Sequence, residues 1–261
     1  RRCPFWLLDS GYNGLSWPIH LLRELPMKPP VPAKDMTQAQ LARYIDSAIL
    51  KPEFTEEDIK KYAQQGIDLG VDTICVNPCY LELLASMVEG TQTGIDATCD
   101  FPFGQSSTAS KVAQAVEVFE RVKPSDMDMV ANYGMLRAGD KAYVVDDIQA
   151  VCAVAHDNGA ILKVILETDA LTPEQITLGV QCAIEAGADY VKSSTGFYTG
   201  GPQKGAAPEV VSLMLKAAGG KIKVKGSGCI RTQERFFELI DLGMDRAGVG
   251  FGSVPKVLGA E

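Results

Sequence analysis

Lys192 and Lys225 close two apolar runs, Ala-Asp-Tyr-Val-Lys-Ser-Ser-Thr-Gly and Lys-Ile-Lys-Val-Lys-Gly-Ser-Gly, and each is followed by small residues. A single lysine at a strand end is explained by snorkelling to solvent. Two on successive strands point to chemistry, because desolvation and a neighbouring like charge both lower an amine's pKa. A lysine kept partly neutral near pH 7 is a nucleophile able to form a Schiff base with a carbonyl. Asp128, in Asp-Met-Asp-Met-Val, brings a carboxylate to a third strand end, and Lys163, in Ile-Leu-Lys-Val-Ile-Leu-Glu-Thr, lies inside a fourth strand. The loops 193–196, 226–228 and 248–253 supply hydroxyls and unobstructed backbone N–H groups, the donors an anion needs.

These residues need elements to position them. From about residue 37, short β-branched runs alternate with amphipathic stretches, the pattern of repeated βα units around a parallel sheet. The spacing predicts strands at 44–50, 72–76, 94–99, 126–130, 160–166, 190–192, 221–225 and 246–249. Helical patterns fall at 56–69, 107–122, 143–158, 173–186, 208–218 and 232–242. Thr55 and Thr172 are placed as N-caps before acidic first turns, with Gln175 completing a capping box and Pro173 at the first helical position. Gly66, Gly70, Gly159, Gly187 and Gly243 are placed near or after helix ends. Eight strands in this order fit an α/β fold of the (β/α)₈ TIM-barrel type, a single domain over 37–261 with an N-terminal extension at 1–36. No Gly-x-Gly-x-x-Gly turn marks a dinucleotide fold. In a barrel the chemistry belongs at the C-terminal strand ends, and phosphate sits on the loops after strands 7 and 8.

Composition narrows the function classes. The 261 residues carry a formal charge of −8, from 25 basic and 33 acidic side chains, which disfavours a nucleic-acid binder. No apolar run approaches the ~18–20 residues of a membrane span. Two histidines are few for a hydrolytic zinc site, which puts metal chemistry at a disadvantage; no metal site is assigned and no cofactor is expected. Seven cysteines, an odd count without C-x-x-C spacing, read as mostly buried thiols of a cytoplasmic protein. Residues 1–26 begin Arg-Arg-Cys-Pro-Phe-Trp-Leu-Leu, too short an apolar core for a signal peptide, and are expected to lie outside the catalytic fold.

From about Leu41 to Leu258 the chain resembles deoxyribose-phosphate aldolase. The resemblance rests mainly on Ala-Gly-Ala-Asp-Tyr-Val-Lys-Ser-Ser-Thr-Gly-Phe at 186–197, Leu-Lys-Val-Ile-Leu-Glu-Thr at 162–168 and Asp-Met-Asp-Met-Val at 126–130. Shorter matches are Tyr-Ile-Asp at 44–46, Leu-Lys-Pro at 50–52, Ile-Cys-Val-Asn-Pro at 74–78 and Val-Lys-Gly-Ser-Gly-Cys-Ile-Arg-Thr at 224–232. The resemblance implies a metal-independent class I aldolase of deoxyribonucleotide catabolism, joining acetaldehyde and glyceraldehyde 3-phosphate into 2-deoxyribose 5-phosphate. It implies Lys192 as the Schiff-base lysine, Lys225 as the cation that lowers its pKa, and Asp128 as the carboxylate assisting proton transfer through water. Phosphate contacts map to Gly196, Gly228, Arg231, Gly250 and Ser253, while Asp46, Cys75 and Lys163 are placed at the pocket. The partners implied are small aldehydes and sugar phosphates, with no nucleic acid or membrane, and a homo-oligomer (dimer or tetramer) is compatible.

The chain departs from the family pattern at Ser47-Ala48, where a hydroxyl-bearing threonine is usual, at Cys229 in place of a second glycine, and at Gly252 in place of serine. Asn132-Tyr133-Gly134 alters a further loop, and no terminal tyrosine follows Leu258. Other residues have plainer readings: Cys75 a small apolar residue near the pocket mouth, His156 a solvated helix cap, Glu167 a partner for a lysine or a structural ion pair. Two other functions stay open at this level, a phosphosugar isomerase or lyase with Asp128 as base, and a non-catalytic sugar-phosphate-binding barrel.

Overall fold

A computed structural model describes Pro29 and residues 31–260, so the expectation for 1–26 lies outside the described residues. Eight parallel strands close into a barrel in sequence order: β1 Ile45–Ile49, β2 Thr73–Val76, β3 Gly94–Cys99, β4 Asp126–Val130, β5 Ile161–Ile165, β6 Tyr190–Lys192, β7 Lys223–Ser227 and β8 Arg246–Gly250. Closure is made by β8 against β1, with Asp46 opposite Gly248. The helices are α1 Gln38–Ala42, α2 Glu56–Asp68, α3 Leu81–Val88, α4 Thr108–Arg121, α5 Tyr133–Ala138, α6 Lys141–Asp157, α7 Pro173–Glu185, α8 Pro208–Ala218, α9 Gln233–Leu242 and α10 Val254–Val257. The (β/α)₈ barrel expected from the sequence is the fold.

Most helix boundaries follow the side chains that cap them. Thr55 and Thr172 both accept from the backbone three residues on, within complete capping boxes closed by Asp58 and Gln175. Ser107 and Thr232, expected as first helical residues, are N-caps instead. Asp140 starts α6 two residues before the expected 143, by accepting from Tyr143 N–H. The short α3 escaped the periodicity reading: its apolar residues crowd one eight-residue segment, Leu81 and Leu84 being buried. Gly66 lies in the last turn of α2, where an added Cβ would fall 3.1 Å from Ile74 Cδ1.

The apolar core lies between barrel and helices, built from residues such as Ile74, Val164, Val191 and Val224 on the strands and Ile59, Val151, Val180 and Leu239 on the helices. Ala33 is fully buried, and its N–H donates to Asp241 Oδ1 of α9 at 2.8 Å, so docking onto the barrel begins before residue 37. Cys75, Cys99, Cys152 and Cys182 are buried free thiols, whereas Cys79 and Cys229 are exposed. Among the described residues no helix is long and apolar enough to cross a membrane.

His156 sits in the last turn of α6 but is more than a helix cap. Its Nε2 lies 2.8 Å from Asp189 Oδ2, and that oxygen also accepts from Leu162 N–H at the start of β5. The Asp189 hydrogen bond, then the Cys152 thiol, push the imidazole up to about 10 from its usual 6.5. A group whose folded pKa is raised stabilises fully below the unfolded value and loses that contribution as pH rises through the folded one. The thermal midpoint is therefore expected to fall slightly between pH 6.5 and 10, and His156→Gln to lack this component. The pair is more than a third exposed, so solvent keeps the effect small. Identical pH dependence of melting in both proteins would contradict the assignment.

Candidate active site

The inside of the barrel is filled by side chains from all eight strands, and they are mostly charged. A (β/α)₈ interior is built from layers of four residues on alternate strands, usually branched and apolar. Here the odd strands contribute Asp46, Asp96, Lys163 and Lys225, all fully or almost fully buried. Lys163 Nζ lies 3.2 Å from Asp46 Oδ2 and 3.1 Å from Asp96 Oδ2. Lys225 Nζ lies 2.5 and 3.0 Å from the same two atoms. Each amine thus bridges both carboxylates.

The even strands supply the layers on either side. Towards the N-terminal end, Arg246 Nη1 (3.1 Å) and Thr73 Oγ1 (2.8 Å) donate to Asp46 Oδ1, and Asp126 Oδ2 lies 2.5 Å from Lys163 Nζ. Arg246 also pairs with Asp72, which in turn pairs with Arg43. Towards the C-terminal end stand Asp128 on β4 and Lys192 on β6, with Lys192 directly opposite Lys225 in the strand register. Lys192 Nζ lies 2.6 Å from Asp128 Oδ2, and Lys225 Nζ reaches the same oxygen at 2.8 Å. Asp128 and Lys225 are therefore mid-strand residues rather than strand ends, since β7 runs two residues beyond Lys225.

Burial should neutralise these groups, yet pairing mostly wins. Burial pulls Lys225 down, but Asp128, Asp46 and Asp96 outweigh it and hold the amine well above the ordinary lysine value. Three carboxylates outnumber the like charges around it and keep Lys225 a cation. Lys163 is likewise held high by Asp46, Asp96, Asp128 and Asp126 against desolvation. Burial also opposes the ionisation of Asp128, but Lys192, Lys225 and Lys163 hold its carboxyl below the usual range. Asp96 differs: burial and repulsion from Asp128 prevail over Lys163 and Lys225, and it is pushed up to about 7.

Cys75 lies deeper than the pocket mouth where the sequence placed it. It is 2% exposed, and it groups with Asp96 and Asp128 with one ligand atom from each within 4.8 Å of the others. Such a trio could hold a cation, but both carboxylates already face lysine ammonium groups. Burial pushes the Cys75 thiol well above its ordinary value, so it is a thiol and not a thiolate nucleophile.

Above the charged layers an open cleft of about 320 Å³ is lined by Gly196, Gly228, Arg231, Gly250 and Ser253, the five residues expected to meet phosphate. Lys51, Ala48, Thr195, Gln203 and Cys229 share the wall. Lys192 is not part of the lining: it is 4% exposed, three residues before Thr195. Cys229 adopts φ 59°, the left-handed region where glycine has no Cβ conflict, and that is why the family's glycine fits there. Gly205 (φ 55°) packs so closely that a Cβ would fall 2.5 Å from the Gly228 carbonyl carbon, which fixes the loop after β7.

Several residues of the site were missed or misread in the sequence. Glu167, φ 57° and 2% exposed, pairs with no lysine among the described residues; it accepts from Thr195 Oγ1 and orders the loop after β6. Asp96 drew no notice, although an aspartate inside Gly-Ile-Asp-Ala-Thr-Cys carries the same signal that marked Asp128. Lys51 within Leu-Lys-Pro and Arg246 at a strand start carry no sign in the sequence of the cleft and the cluster that they join.

A (β/α)₈ barrel with an amine–carboxylate pair beneath a cationic cleft at its C-terminal mouth has the architecture of a barrel lyase. Known proteins bear this out. The chain is 41% identical over 219 residues to the deoxyribose-phosphate aldolase of Thermococcus kodakarensis, covering 83% of this chain and 96% of that one. It is 36% identical over 232 residues to that of Micrococcus luteus, covering 87% and 98%. The structure of the enzyme of the same name from Aeropyrum pernix, described as tetrameric, superposes with a TM-score of 0.77 at 29% identity, covering 86% of this chain and 92% of that one. No protein-family model matches the chain. The chain belongs to the deoxyribose-phosphate aldolase family and is a lyase.

Proposed function

We propose that the chain reversibly cleaves 2-deoxyribose 5-phosphate into acetaldehyde and glyceraldehyde 3-phosphate through an imine on Lys192. The observation that carries this reading is the Lys192–Asp128 contact of 2.6 Å beneath the cationic cleft. The free Lys192 amine adds to C1 of the open-chain sugar, and the carbinolamine loses water to give an iminium. The C3 hydroxyl proton passes to Asp128, directly or through one water, as the C2–C3 bond breaks. Its electrons flow into the iminium to form an enamine. Carbons 3–5 leave as the phosphorylated aldehyde, and protonation and hydrolysis of the enamine release carbons 1–2 as acetaldehyde. Lys225 stays cationic and stabilises the carboxylate that moves the proton. No step calls for a metal.

Arg231 and Lys51, with the backbone N–H groups of the loops after β6, β7 and β8, are the donors proposed for phosphate. Arg231→Ala is expected to raise KM for 2-deoxyribose 5-phosphate about 10–100-fold, the range of a lost charge-assisted contact. It leaves kcat/KM for unphosphorylated 2-deoxyribose nearly unchanged. Equal losses on both substrates would remove the phosphate assignment. The imine is tested by borohydride reduction in the presence of acetaldehyde, with peptide mapping. A stable adduct on Lys192 supports the aldolase, and its absence in active protein favours an isomerase or lyase using Asp128 alone. A homo-oligomer like that of the Aeropyrum pernix enzyme is part of the proposal.

A further inference from the structure

We infer that Asp96 is the proton store of the lysine cluster: it takes the Lys192 proton through Asp128 and Lys225 before the amine attacks, and returns it when water leaves. This rests on the imine reading above. The path is an unbroken run of short contacts: Lys192 Nζ to Asp128 Oδ2 at 2.6 Å, Asp128 Oδ2 to Lys225 Nζ at 2.8 Å, and Lys225 Nζ to Asp96 Oδ2 at 3.0 Å. Asp46 also touches Lys225, but its Oδ1 accepts from Thr73 and Arg246, and Lys163, Lys225 and Arg246 hold it well below the usual carboxylate range. Asp46 therefore stays ionised.

Asp96 has no such anchor. Its Oδ1 is buried without any hydrogen-bond partner. An ionised carboxylate there leaves an acceptor unsatisfied, a penalty that protonation relieves. The titratable and charged groups that face it are Asp46 on β1, Cys75 on β2, Asp128 on β4, Lys163 on β5 and Lys225 on β7, with Asp126 opposite it in the strand register. Burial, then repulsion from Asp128, prevail over Lys163 and Lys225 and push Asp96 up to about 7, whereas Asp46 and Asp128 are held low.

The charge count gives the reason for a store. Asp46, Asp96, Asp126 and Asp128 face Lys163, Lys192, Lys225 and Arg246, so the buried cluster is neutral while Lys192 is an ammonium. A free Lys192 amine leaves it one negative charge in excess unless a carboxylate is protonated. In the relay Lys192 gives a proton to Asp128, Lys225 gives one to Asp96, and Asp128 gives its own to Lys225. The outcome is a neutral amine and a neutral Asp96. The amine then adds to the aldehyde, the N–C bond forms, and one amine proton moves to the carbonyl oxygen. The same relay in reverse delivers the Asp96 proton to the carbinolamine hydroxyl, which leaves as water. The iminium and the Asp96 carboxylate remain, and the cluster is again neutral. Asp96 touches no substrate and acts through Lys225 and Asp128.

The test is the pH profile of acetaldehyde imine formation, read by borohydride trapping, in the wild type and in the isosteric Asp96→Asn, which cannot take up a proton. Above pH 7 the wild type runs flat, because both proton movements are internal. Asp96→Asn must draw the dehydration proton from solvent and falls by about tenfold per pH unit, roughly 100-fold relative to the wild type by pH 9. Profiles of the same shape, even at a uniformly lower rate, overturn the proposal and leave Asp96 a structural role. Should Asp96→Asn not fold, the wild type decides. Its trapping rate is expected to stay level from pH 7 to pH 9, and a fall of about tenfold per pH unit in the wild type overturns the proposal. Absence of any trapped adduct in the wild type would instead remove the imine reading itself.

Discussion

Lys192→Ala is expected to lose turnover of 2-deoxyribose 5-phosphate by at least about 10⁴-fold, the scale seen when a covalent nucleophile is removed. The loss falls on kcat, because the cleft wall of Arg231, Lys51 and the glycine loops is untouched. The fold should survive. Asp128 keeps Lys225 at 2.8 Å and Lys163 at 3.4 Å, so truncating Lys192 does not strand its carboxylate. The measurement is single-turnover cleavage together with acetaldehyde–borohydride labelling, both of which should vanish while circular dichroism and thermal midpoint stay close to wild type. Retention of full cleavage by the folded variant would end the imine mechanism, whatever the family of the chain.

Lys163→Met has the second large effect, and it falls on stability. Lys163 is fully buried and its Nζ lies within 3.4 Å of oxygens of Asp46, Asp96, Asp126 and Asp128. Methionine fills similar volume but leaves the cluster one negative charge in excess. Removing one partner from a buried ionic network costs about 3–5 kcal/mol. The pH dependence identifies the cause. Without Lys163 the carboxylates around it titrate higher in the folded protein than in the unfolded chain. A carboxylate raised in this way destabilises when ionised, and the penalty fades as pH falls through its folded pKa. The stability gap measured by urea unfolding should therefore narrow from pH 8 towards pH 5. A gap independent of pH would mean that Lys163 matters through packing alone.

Two readings of the sequence misplaced charge for the same reason. Lys225 closes the strand that the pattern predicts at 221–225, but Gly226 and Ser227 continue the ladder against β8. His156 was read as a solvated cap because its partner, Asp189, is 33 residues away and packs beside it only when β5 and β6 pair. A pattern along one chain reports which face a residue takes, not what faces it.

The sequence by itself determined the βα periodicity, and with it the barrel, the cap positions and the C-terminal face as the place for chemistry. It also determined that lysines and aspartates stand where apolar strand residues belong. Only closure of the barrel decided which of them meet. Strand stagger sets the layer in which each inward side chain falls, and that stagger belongs to the closed sheet rather than to any one strand. It brings Asp46, Asp96, Lys163 and Lys225 into one layer and Asp128 with Lys192 into the next. Asp96 stands out in its strand as Asp128 does in its own, but it becomes a partner of Lys225 only across the barrel, 129 residues away in the chain.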